Sequence, residues 1–445
     1  MKQDFFLRFL KALIPFWNIM MFCYVWALYY NEQTFSGFWS QGLFICVLLY
    51  VLIYYAFGKL YHAFKTDIAR ISELMLSQFL AVGMSDFILY LMCYLMHMRF
   101  VNLIPGLVAA VIQLAGTYVL LTVNKSYFAK YIPAQKTVLI YGAKKQRQEG
   151  HIETSMDQFI QKLKKKHSGL FDIREVYPDT QKSAELIRKI AEYDTVILCH
   201  VSQKLRARIL AVCAGEGKNV YITPKLEDIF LMNYEYRYMT DTPLLASPAR
   251  QREYKSKRFL DVGISLVLLF VFAPFMFLAV ICIKLEDGGP VFYRQRRVTM
   301  NGKEFDILKF RSMVVDAEKM GYMPAATRDS RITRVGRVIR ATRIDETPQL
   351  LNILKGDMSI VGPRPERVEH VKKYTEELPE FAYRLRVRGG LTGYAQIYGK
   401  YNTSAEDKLK MDLMYIEKQS LLLDLQLILL TVKVMFLPES TEGFS

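Results

Sequence analysis

Cysteine and histidine are scarce in this chain of 445 residues, which contains six of each. No two cysteines have the Cys-x-x-Cys spacing, and the histidines are scattered along the sequence. Structural zinc sites need clustered ligands, and small secreted domains need paired cysteines. The sequence therefore argues against a zinc protein and against a disulfide framework.

A complete glycine-rich nucleotide loop is also missing. Residues 134–250 alternate β-branched strands with amphipathic helices, which predicts a Rossmann-like α/β domain with a parallel sheet and a linker. The predicted strands and helices, in chain order, are Thr137–Tyr141, Met156–Lys166, Ser183–Glu192, Thr195–Cys199, Lys204–Ala214 and Asn219–Ile222. Only Gly142 matches the Gly-x-Gly-x-x-Gly pattern, so regulation or assembly is favoured over dinucleotide binding.

Acidic residues are too few to balance the basic ones. The chain has 59 Lys and Arg against 43 Asp and Glu, a net charge of +16, yet 52% of its residues are hydrophobic. A soluble protein with this charge is rarely so apolar, so we expect membrane segments beside a basic surface. Membrane segments favour anionic lipid or a phosphorylated substrate over nucleic acid as the partner of that surface.

Long apolar runs fill the first quarter of the chain. Each has about the 20 residues that a helix needs to cross a bilayer. The four runs are Leu10–Tyr30, Phe38–Gly58, Leu74–Met96 and Val101–Val123. No small-residue cleavage site follows the first run, which indicates a retained span rather than a signal peptide. Residues 1–133 therefore predict a unit of four transmembrane helices.

Basic residues mark one side of this unit. They precede the first run, lie between the second and third, and follow the fourth, whereas Arg99 is the one basic residue in the opposite loops. The positive-inside rule then places both ends of the unit in the cytoplasm. Asp86 is the one acidic residue within a span. It indicates either a polar pathway or a helix-packing role, and packing is favoured because no partner is visible in the sequence.

A fifth apolar run, Phe259–Ile283, differs from the others. It contains Pro274, and basic residues flank it on both sides. Proline breaks or kinks a helix, and each half is then too short to cross the bilayer. Charge on both flanks keeps both ends in the cytoplasm, so we predict a re-entrant helix with its break at Pro274. An ordinary fifth span is the alternative.

Two adjacent carboxylates, Asp345 and Glu346, stand out in the basic part of the chain. Thr347-Pro348 predicts the start of a helix that ends at Gly356. Arg340, Arg343 and the helix dipole are expected to lower the pKa values of both carboxylates. An ionised Asp345 can attack phosphorus, and Glu346 with Asp345 can hold Mg²⁺. The alternative is a helix-capping acid paired with Arg343.

Arginines surround this dyad, and six of them recur at every third position. They are Arg328, Arg331, Arg334, Arg337, Arg340 and Arg343. Guanidinium groups bind phosphate with two hydrogen bonds, so the series predicts a polyanionic substrate, although some members can form a solvated face. Arg364 lies between Pro363 and Pro365, which restrict the backbone and favour rigid presentation of one charge.

These motifs together resemble the bacterial sugar transferases, the polyprenyl-phosphate hexose-1-phosphate or monotopic phosphoglycosyl transferases. The matching segments are Lys257–Asp261, Gly289–Gln295, Lys309–Met313, Ile344–Glu346, Leu354–Ser359, Val361–Pro365 and Gly390–Gln396. The resemblance covers about residues 251–437. The four spans and the α/β domain are similar to the long form of the family, exemplified by undecaprenyl-phosphate glucose or galactose phosphotransferases.

The resemblance implies an α-rich phosphoglycosyl transferase domain over residues 251–437, with the re-entrant helix at 259–283 and a short tail at 438–445. The implied reaction moves a sugar-1-phosphate from a UDP-sugar to undecaprenyl phosphate and releases UMP. It starts capsule, exopolysaccharide or O-antigen synthesis at the cytoplasmic face of the inner membrane. The long form further suggests a homodimer. A non-catalytic membrane scaffold or regulator is the alternative function.

The resemblance also assigns residues. Asp345 matches the nucleophile of a covalent phosphosugar intermediate, and Glu346 belongs to the Mg²⁺ site. Positions that match phosphate-binding or active-site residues of the family are Lys257, Arg340, Arg364, Arg388, Lys400 and Asp412. Lys400 stands where the family often has arginine, and Gly389 where it often has proline, so those two matches are weaker.

The last apolar segment, Leu421–Leu437, contains only Asp424 and Lys433 as charged residues. Its composition predicts a helix that lies on the membrane surface, with a packed core helix as the alternative.

Overall fold

The computed structural model describes residues 2–30, 41–66, 69–98, 100–131, 133–142, 159–161, 163–164, 169–238, 241, 243–247, 253–254, 256–315, 317, 329, 331–399 and 403–436. The chain divides into two units, Met1–Pro224 and Lys225–Ser445. Several predicted features fall wholly or mostly outside the described residues: the helix Met156–Lys166, Arg99, Arg328, Lys400 and the tail 438–445.

Four long helices open the first unit, at the positions of the four predicted apolar runs. They are α1 (Lys2–Val25), which continues as a π-helical turn (Trp26–Tyr30), α2 (Gln41–Leu60), α3 (Ile71–His97) and α4 (Ile104–Tyr131). Among the described residues, five helical stretches are long and apolar enough to cross a membrane. They are Arg8–Tyr30, Leu43–Leu60, Ile71–Leu95, Ile104–Tyr131 and Lys257–Asp287.

Buried polar side chains link the four helices of the first unit. The Asn18 amide of α1 donates to the Tyr54 hydroxyl of α2 and to the Thr117 hydroxyl of α4, each at 3.1 Å. Tyr54 in turn donates to Gln78 of α3 at 2.8 Å. Such interhelical bonds satisfy polar groups that apolar surroundings cannot. Both carboxylate oxygens of Asp86 are buried, and its packing role stays a prediction.

A four-stranded parallel sheet completes the first unit and confirms the three predicted strands. Its strands are β1 (Gln135–Tyr141), β2 (Phe171–Pro178), β3 (Thr195–Cys199) and β4 (Asn219–Ile222), in the order β2-β1-β3-β4. Helices α5 (Ser183–Ile190) and α6 (Gln203–Gly215) bury Leu186, Ile190 and Ile209 against one face. The sequence analysis missed β2 because the adjacent charged residues Arg174 and Glu175 interrupt the alternation of polar and apolar residues, and only Ile173 of this edge strand is buried.

The second unit begins with helix α7 (Leu226–Leu231) and a hairpin of β5 (Glu235–Tyr238) and β6 (Pro243–Ala246). The predicted linker, Tyr234–Lys257, therefore contains a two-stranded antiparallel sheet. The remaining elements follow in chain order: α8 (Lys257–Asp287), the hairpin β7 (Phe292–Val298) and β8 (Glu304–Phe310), α9 (Arg334–Ala341), α10 (Gln349–Lys355), β9 (Ser359–Val361), α11 (Val368–Glu377), β10 (Gly390–Thr392), α12 (Tyr394–Tyr398), α13 (Ala405–Lys418) and α14 (Leu421–Met435).

Helix α8 runs without interruption through Pro274, so the two separate halves predicted from the sequence are not seen. Both of its ends pack against other elements of the second unit. Ile264 and Leu268 contact the main core of that unit, while Ala279 and Ile283 pack against residues of β8 and α9. The opposite face of α8 is exposed and strongly apolar. Its re-entrant course stays a prediction.

The core of the second unit is built where α10, β9, α13 and α14 meet. Ile353, Ile360, Leu413 and Leu427 are among its fully or almost fully buried side chains. Helix α14 buries one face there and exposes leucines on the other, which combines features of the two alternatives predicted for Leu421–Leu437. Helix α10, which follows the carboxylate dyad in the chain, packs in this core.

Candidate active site

The dyad lies on a single 3₁₀ turn, Ile344–Glu346, between α9 and α10. Arg343, which precedes this turn, has a left-handed backbone with φ of 55°. This conformation costs a residue with a Cβ atom on the order of 1 kcal/mol, and such strain often marks functional sites. Helix α10 begins at Gln349 and ends at Gly356 with φ of 96°, which confirms the predicted end.

Glu346 is held by two cations from distant parts of the chain. Its Oε1 accepts hydrogen bonds from Lys309 Nζ at 2.6 Å and from Arg364 Nη2 at 2.9 Å. Burial by itself would raise the pKa of Glu346, but the charges of Lys309 and Arg364 outweigh it and hold that pKa well below its usual range. Glu346 is therefore ionised throughout the physiological range.

Asp345 has a different environment from its neighbour. It makes no hydrogen bond or salt bridge with any residue that the structure describes, although Lys309, Arg340 and Arg343 act on it through space. Burial, together with the negative charge of Glu346, raises the pKa of Asp345 to about 6. The expectation that Arg340, Arg343 and the helix dipole lower this pKa was therefore wrong, because burial outweighs the cations.

The capping alternative for Asp345 has no support in this geometry. Pro348 occupies the N-cap position of α10, and no side chain caps that end. Thr347, the predicted cap, instead donates its hydroxyl proton to the carbonyl of Ile344 at 2.8 Å. Asp345 and Arg343 form no ion pair. The Asp345 carboxylate thus keeps its oxygens free for another partner.

Arg340 approaches the dyad from α9. Gly336 allows this, because a Cβ atom there would lie 2.0 Å from the Ser312 carbonyl oxygen. Arg340 Nε donates to Ser312 Oγ at 2.7 Å, and its Nη1 is buried with no hydrogen-bond acceptor among the described residues. Arg340 therefore offers a buried donor beside Asp345.

The other arginines of the three-residue series do not all converge on the site. Arg331 pairs with Asp329 at 2.6 Å, while Arg334 and Arg337 are exposed. Helix α9 is only eight residues long, and the chain leaves it at Thr342. The solvated face considered as an alternative therefore describes Arg334 and Arg337, whereas Arg331 is paired and largely buried.

Arg364 is presented by a rigid crossing of two chain segments. Gly362 donates its N–H to the Thr392 carbonyl, and Gly390 donates to the Pro363 carbonyl, both at 2.8 Å. A Cβ atom on Gly390 would lie 2.1 Å from the Gly362 nitrogen, so the two backbones approach too closely for a side chain. This crossing, with Pro363 and Pro365, fixes where Arg364 leaves the main chain.

The remaining predicted site residues have buried partners of their own. Arg388 binds the Glu253 carboxylate through its backbone N–H and its Nε, both at 2.9 Å. Asp412, which is 1% exposed, pairs with Arg384 at 2.8 Å. Burial raises the pKa of Asp412 to about 6, against the opposing charge of Arg384. No described contact joins Arg388 or Asp412 to the dyad, and their substrate contacts stay predictions.

Lys257 is likewise engaged away from the dyad. It is 1% exposed, and its Nζ contacts Asp424 of α14 at 2.5 Å and the Tyr415 hydroxyl at 2.9 Å. One turn later, Asp261 accepts bonds from the Ser359 hydroxyl at 2.9 Å and the Ile360 N–H at 3.0 Å. The first turns of α8 are thereby tied to β9, which leads into the Arg364 segment.

Lys309 and Ser312 are site residues that the sequence analysis did not assign. Both belong to a segment, Lys309–Met313, that carried part of the family resemblance. That segment was the available signal, because a lysine and a serine close to a basic motif have no distinctive spacing relative to the dyad. The contact between Lys309 and Glu346 bridges 37 positions of sequence.

The dyad also fits a magnesium ion of the kind that the resemblance implies. Glu346 Oε2 and both oxygens of Asp345 accept no hydrogen bond from a described residue, so three carboxylate oxygens are available. Mg²⁺ is commonly bound by one or two carboxylates together with substrate phosphates. No cluster of three or more metal-ligating side chains occurs within the described part of the chain, so further ligands would come from substrate or water.

Comparison with known proteins gives a consistent picture. A family model described as bacterial sugar transferase matches residues 252–438. A UDP-glucose:undecaprenyl-phosphate glucose-1-phosphate transferase of Caulobacter vibrioides is 44% identical over 181 residues, which cover 40% of this chain and 68% of that protein. An uncharacterized sugar transferase of Bacillus subtilis is 38% identical over 186 residues, 42% of this chain and 90% of the relative.

A third relative is matched over a smaller part of its length. It is a UDP-N-acetylgalactosamine-undecaprenyl-phosphate N-acetylgalactosaminephosphotransferase of Aeromonas hydrophila, 42% identical over 180 residues. The match covers 40% of this chain and 43% of that protein, so the chain spans less than half of the relative's length. Each of these three alignments is about as long as the segment 252–438 that the family model matches.

Proposed function

Because this chain belongs to the bacterial sugar transferase family, we propose that it transfers a sugar-1-phosphate from a UDP-sugar to undecaprenyl phosphate. The products are undecaprenyl-diphospho-sugar and UMP. The names of the Aeromonas and Caulobacter relatives describe reactions of this kind and support the proposal. The product is the first lipid-linked intermediate of a capsule, an exopolysaccharide or an O-antigen.

The observation that carries the proposal is the free carboxylate of Asp345 among cations. Asp345 has no described hydrogen-bond or ion-pair partner, whereas Oε1 of the neighbouring Glu346 is engaged by Lys309 and Arg364. A structural acid would normally be paired. An accessible carboxylate that faces Lys309, Arg340 and Arg343 instead suits attack on a phosphate whose negative charge those cations offset.

In the first step an Asp345 oxygen attacks the phosphorus that bears the sugar. The new bond joins that oxygen to phosphorus, and the bridging bond to the UMP phosphate breaks, so UMP leaves with the bonding electrons. Arg340 is placed to donate from its buried Nη1 to the phosphate oxygens. The resulting phospho-aspartate is a covalent intermediate of the kind formed by nucleophilic carboxylates.

Asp345 and Glu346 would hold Mg²⁺ when the donor binds. The ion then supplies charge neutralisation for the diphosphate. Lys309 and Arg364 keep the Glu346 carboxylate ionised and fixed through Oε1, which leaves Oε2 as the free oxygen. Removal of Mg²⁺ by a chelator should therefore suppress UMP release.

In the second step a phosphate oxygen of undecaprenyl phosphate attacks the phospho-aspartate. The new bond to phosphorus forms as the bond to Asp345 breaks, which restores the carboxylate. Helix α8 contacts the catalytic core with both ends and exposes an apolar face, which supports a course that enters the cytoplasmic leaflet and returns. The site then lies at the depth of the lipid phosphate in the inner membrane. We expect the protein to be a homodimer.

The experiment compares Asp345→Asn with Asp306→Asn in the purified full-length protein. Asp306 is an exposed acid on β8, outside the proposed site, and serves as the matched control. Asp345→Asn should abolish UMP release in a screen of several UDP-sugars with undecaprenyl phosphate, while Asp306→Asn keeps it. Normal turnover by Asp345→Asn would refute the nucleophile.

Covalent transfer is distinguished from direct transfer by trapping. Incubation with a radiolabelled UDP-sugar and no lipid acceptor should label the protein on Asp345, and the label should leave when undecaprenyl phosphate is added. Turnover without any label would favour direct transfer, with Asp345 as a base or a metal ligand. Absence of turnover by the unchanged protein with every donor would favour the scaffold alternative.

A further inference from the structure

The segment that carries Arg364 is fixed through its carbonyl groups. Four consecutive carbonyl oxygens, from Pro363 to Glu366, each accept one hydrogen bond. The donors are the Gly390 N–H to Pro363 at 2.8 Å, Arg384 Nη2 to Arg364 at 2.8 Å, Arg297 Nη1 to Pro365 at 3.0 Å and the Val298 N–H to Glu366 at 3.0 Å. Two of these four donors are guanidinium side chains.

Arg384 is the more enclosed of the two guanidinium donors. It is 5% exposed, its Nη2 is 2.8 Å from the Asp412 carboxylate, and its Cζ lies 4.8 Å from the centre of the Phe381 ring. Asp412 is 1% exposed and lies on α13. These contacts enclose the guanidinium, and its Nη2 donates to the Arg364 carbonyl at 2.8 Å.

The position of this hydrogen bond gives it a specific effect. Pro363 and Pro365 have restricted φ angles and no N–H groups, so they cannot anchor the segment as donors. The direction of the Arg364 carbonyl is set by the ψ angle of Arg364 itself. Pro365 keeps this angle in the extended region without fixing it, so a bond to that carbonyl holds the peptide group between Arg364 and Pro365 in one orientation.

We propose that Arg384, held by Asp412, is a positioning residue that orients Arg364 toward Glu346 through the Arg364 main chain. Asp412 then acts through Arg384 rather than on the substrate, and the pair links α13 to the active site. The orientation of Arg364 by Arg384 follows from the described contacts alone. Its catalytic consequence rests on the proposed function.

The first test is hydrogen–deuterium exchange on the full-length protein in lipid nanodiscs. Arg384→Met removes the charged donor, and the Gly390 and Val298 amides, which donate to the carbonyls of this segment, should exchange about tenfold faster, the change expected for loss of one charged hydrogen bond. Arg386→Met is the matched control. Arg386 belongs, like Arg384, to the 3₁₀ segment Pro379–Arg386 and pairs with Glu417 on α13, but it has no described contact with the Arg364 segment.

The second test is a kinetic double-mutant cycle with Arg364. Arg384→Met should lower kcat/KM for UMP release by about 100-fold, because small displacements of a substrate-positioning group have effects of this size. If Arg384 acts through Arg364, the same change in an Arg364→Ala background should cost less than about threefold. If the fold-losses of kcat/KM caused by Arg384→Met and by Arg364→Ala multiply in the double variant, the two residues act independently and the positioning role is overturned.

A third variant separates positioning from stability. Arg384→Met leaves Asp412 buried without its partner, so Arg384→Met combined with Asp412→Leu replaces the whole pair by apolar groups and should restore thermal stability. Exchange of the Gly390 and Val298 amides should remain fast in this stable protein. Slow, unchanged exchange in both variants would overturn the proposal. Failure of the proposed function would appear differently, as no UMP release by the unchanged protein, while the exchange result would still decide the positioning role.

Discussion

The adjacent carboxylates Asp345 and Glu346 have pKa values that are shifted in opposite directions. The pKa of Glu346 is lowered because Lys309 and Arg364 both contact one of its oxygens, and the pKa of Asp345 is raised to about 6 by burial and by the charge of Glu346. Active sites that contain two carboxylates often assign them different tasks in this way. Glu346 is suited to hold a cation, and Asp345 to react.

The raised pKa of Asp345 predicts the pH dependence of the reaction. Only the ionised carboxylate can attack phosphorus, and below pH 6 a growing fraction of Asp345 is protonated. The initial rate of UMP release at low donor concentration should therefore rise through about pH 6 and level off above it, with a tenfold loss per pH unit well below 6. A pH series from 5 to 8 at constant ionic strength measures this. A rate that stays constant down to pH 5 would contradict the assignment.

At the scale of elements, helix α8 is joined to the catalytic core by a buried ion pair. Lys257 and Asp424 are 1% and 0% exposed, and Tyr415 bonds to both of them and to the Val361 carbonyl at 3.1 Å. The pair thus connects the first turn of α8 with α14 and with the end of β9. A helix that is otherwise apolar is thereby given one defined orientation on the core.

This connection predicts a specific pattern of stability. Lys257→Met leaves Asp424 buried and uncompensated, and should lower the free energy of unfolding by about 3–5 kcal/mol. Lys257→Met with Asp424→Leu should recover most of that loss, because the apolar pair needs no desolvated charge. Chemical unfolding of the detergent-solubilised protein measures both variants.

The control for this series is Lys284→Met, at the other end of α8. Lys284 is exposed and donates to the Gly288 carbonyl at 3.2 Å, so its loss should change stability by less than about 0.5 kcal/mol. A destabilisation by Lys284→Met as large as that by Lys257→Met would show that charge near the helix, rather than the buried pair, is what matters.

At the scale of the whole molecule, the loop charges and the packing of both ends of α8 predict one membrane topology. The four helices of the first unit and both ends of α8 should place residues 59–70, 256 and 284 on the cytoplasmic side, and residues 100–103 outside. A fifth ordinary span would instead separate Ser256 from Lys284. These two arrangements differ in which positions an impermeant reagent can reach.

Cysteine labelling distinguishes the two arrangements. In a background with the six native cysteines replaced, Leu103→Cys should react with a membrane-impermeant maleimide in intact spheroplasts. Ser256→Cys and Lys284→Cys should react only after lysis. Reaction of Lys284→Cys before lysis would establish a spanning α8 and would exclude the re-entrant course. Leu103 is about half exposed and Ser256 is exposed, so both positions are accessible to the reagent.

The sequence by itself determined the features that depend on local composition and on contiguous motifs. The apolar runs, the three strands with continuous β-branched stretches and the helix end at Gly356 follow from periodicity and backbone preference, which are local properties. The dyad and the family were found because their motifs are uninterrupted in the chain. Strand β2 was missed because it lies at the sheet edge, where most of its side chains are not buried and its sequence has no continuous hydrophobic pattern.

The tertiary structure alone decided the environments of the two carboxylates. Lys309 and Arg364 reach Glu346 from 37 and 18 positions away, and Arg384 reaches the Arg364 carbonyl from 20 positions away. Whether a carboxylate is free or engaged, and whether its pKa rises or falls, depends on burial and on charges that the fold brings together through space. No spacing in the sequence records those distances, and so only the folded chain distinguishes Asp345 from Glu346.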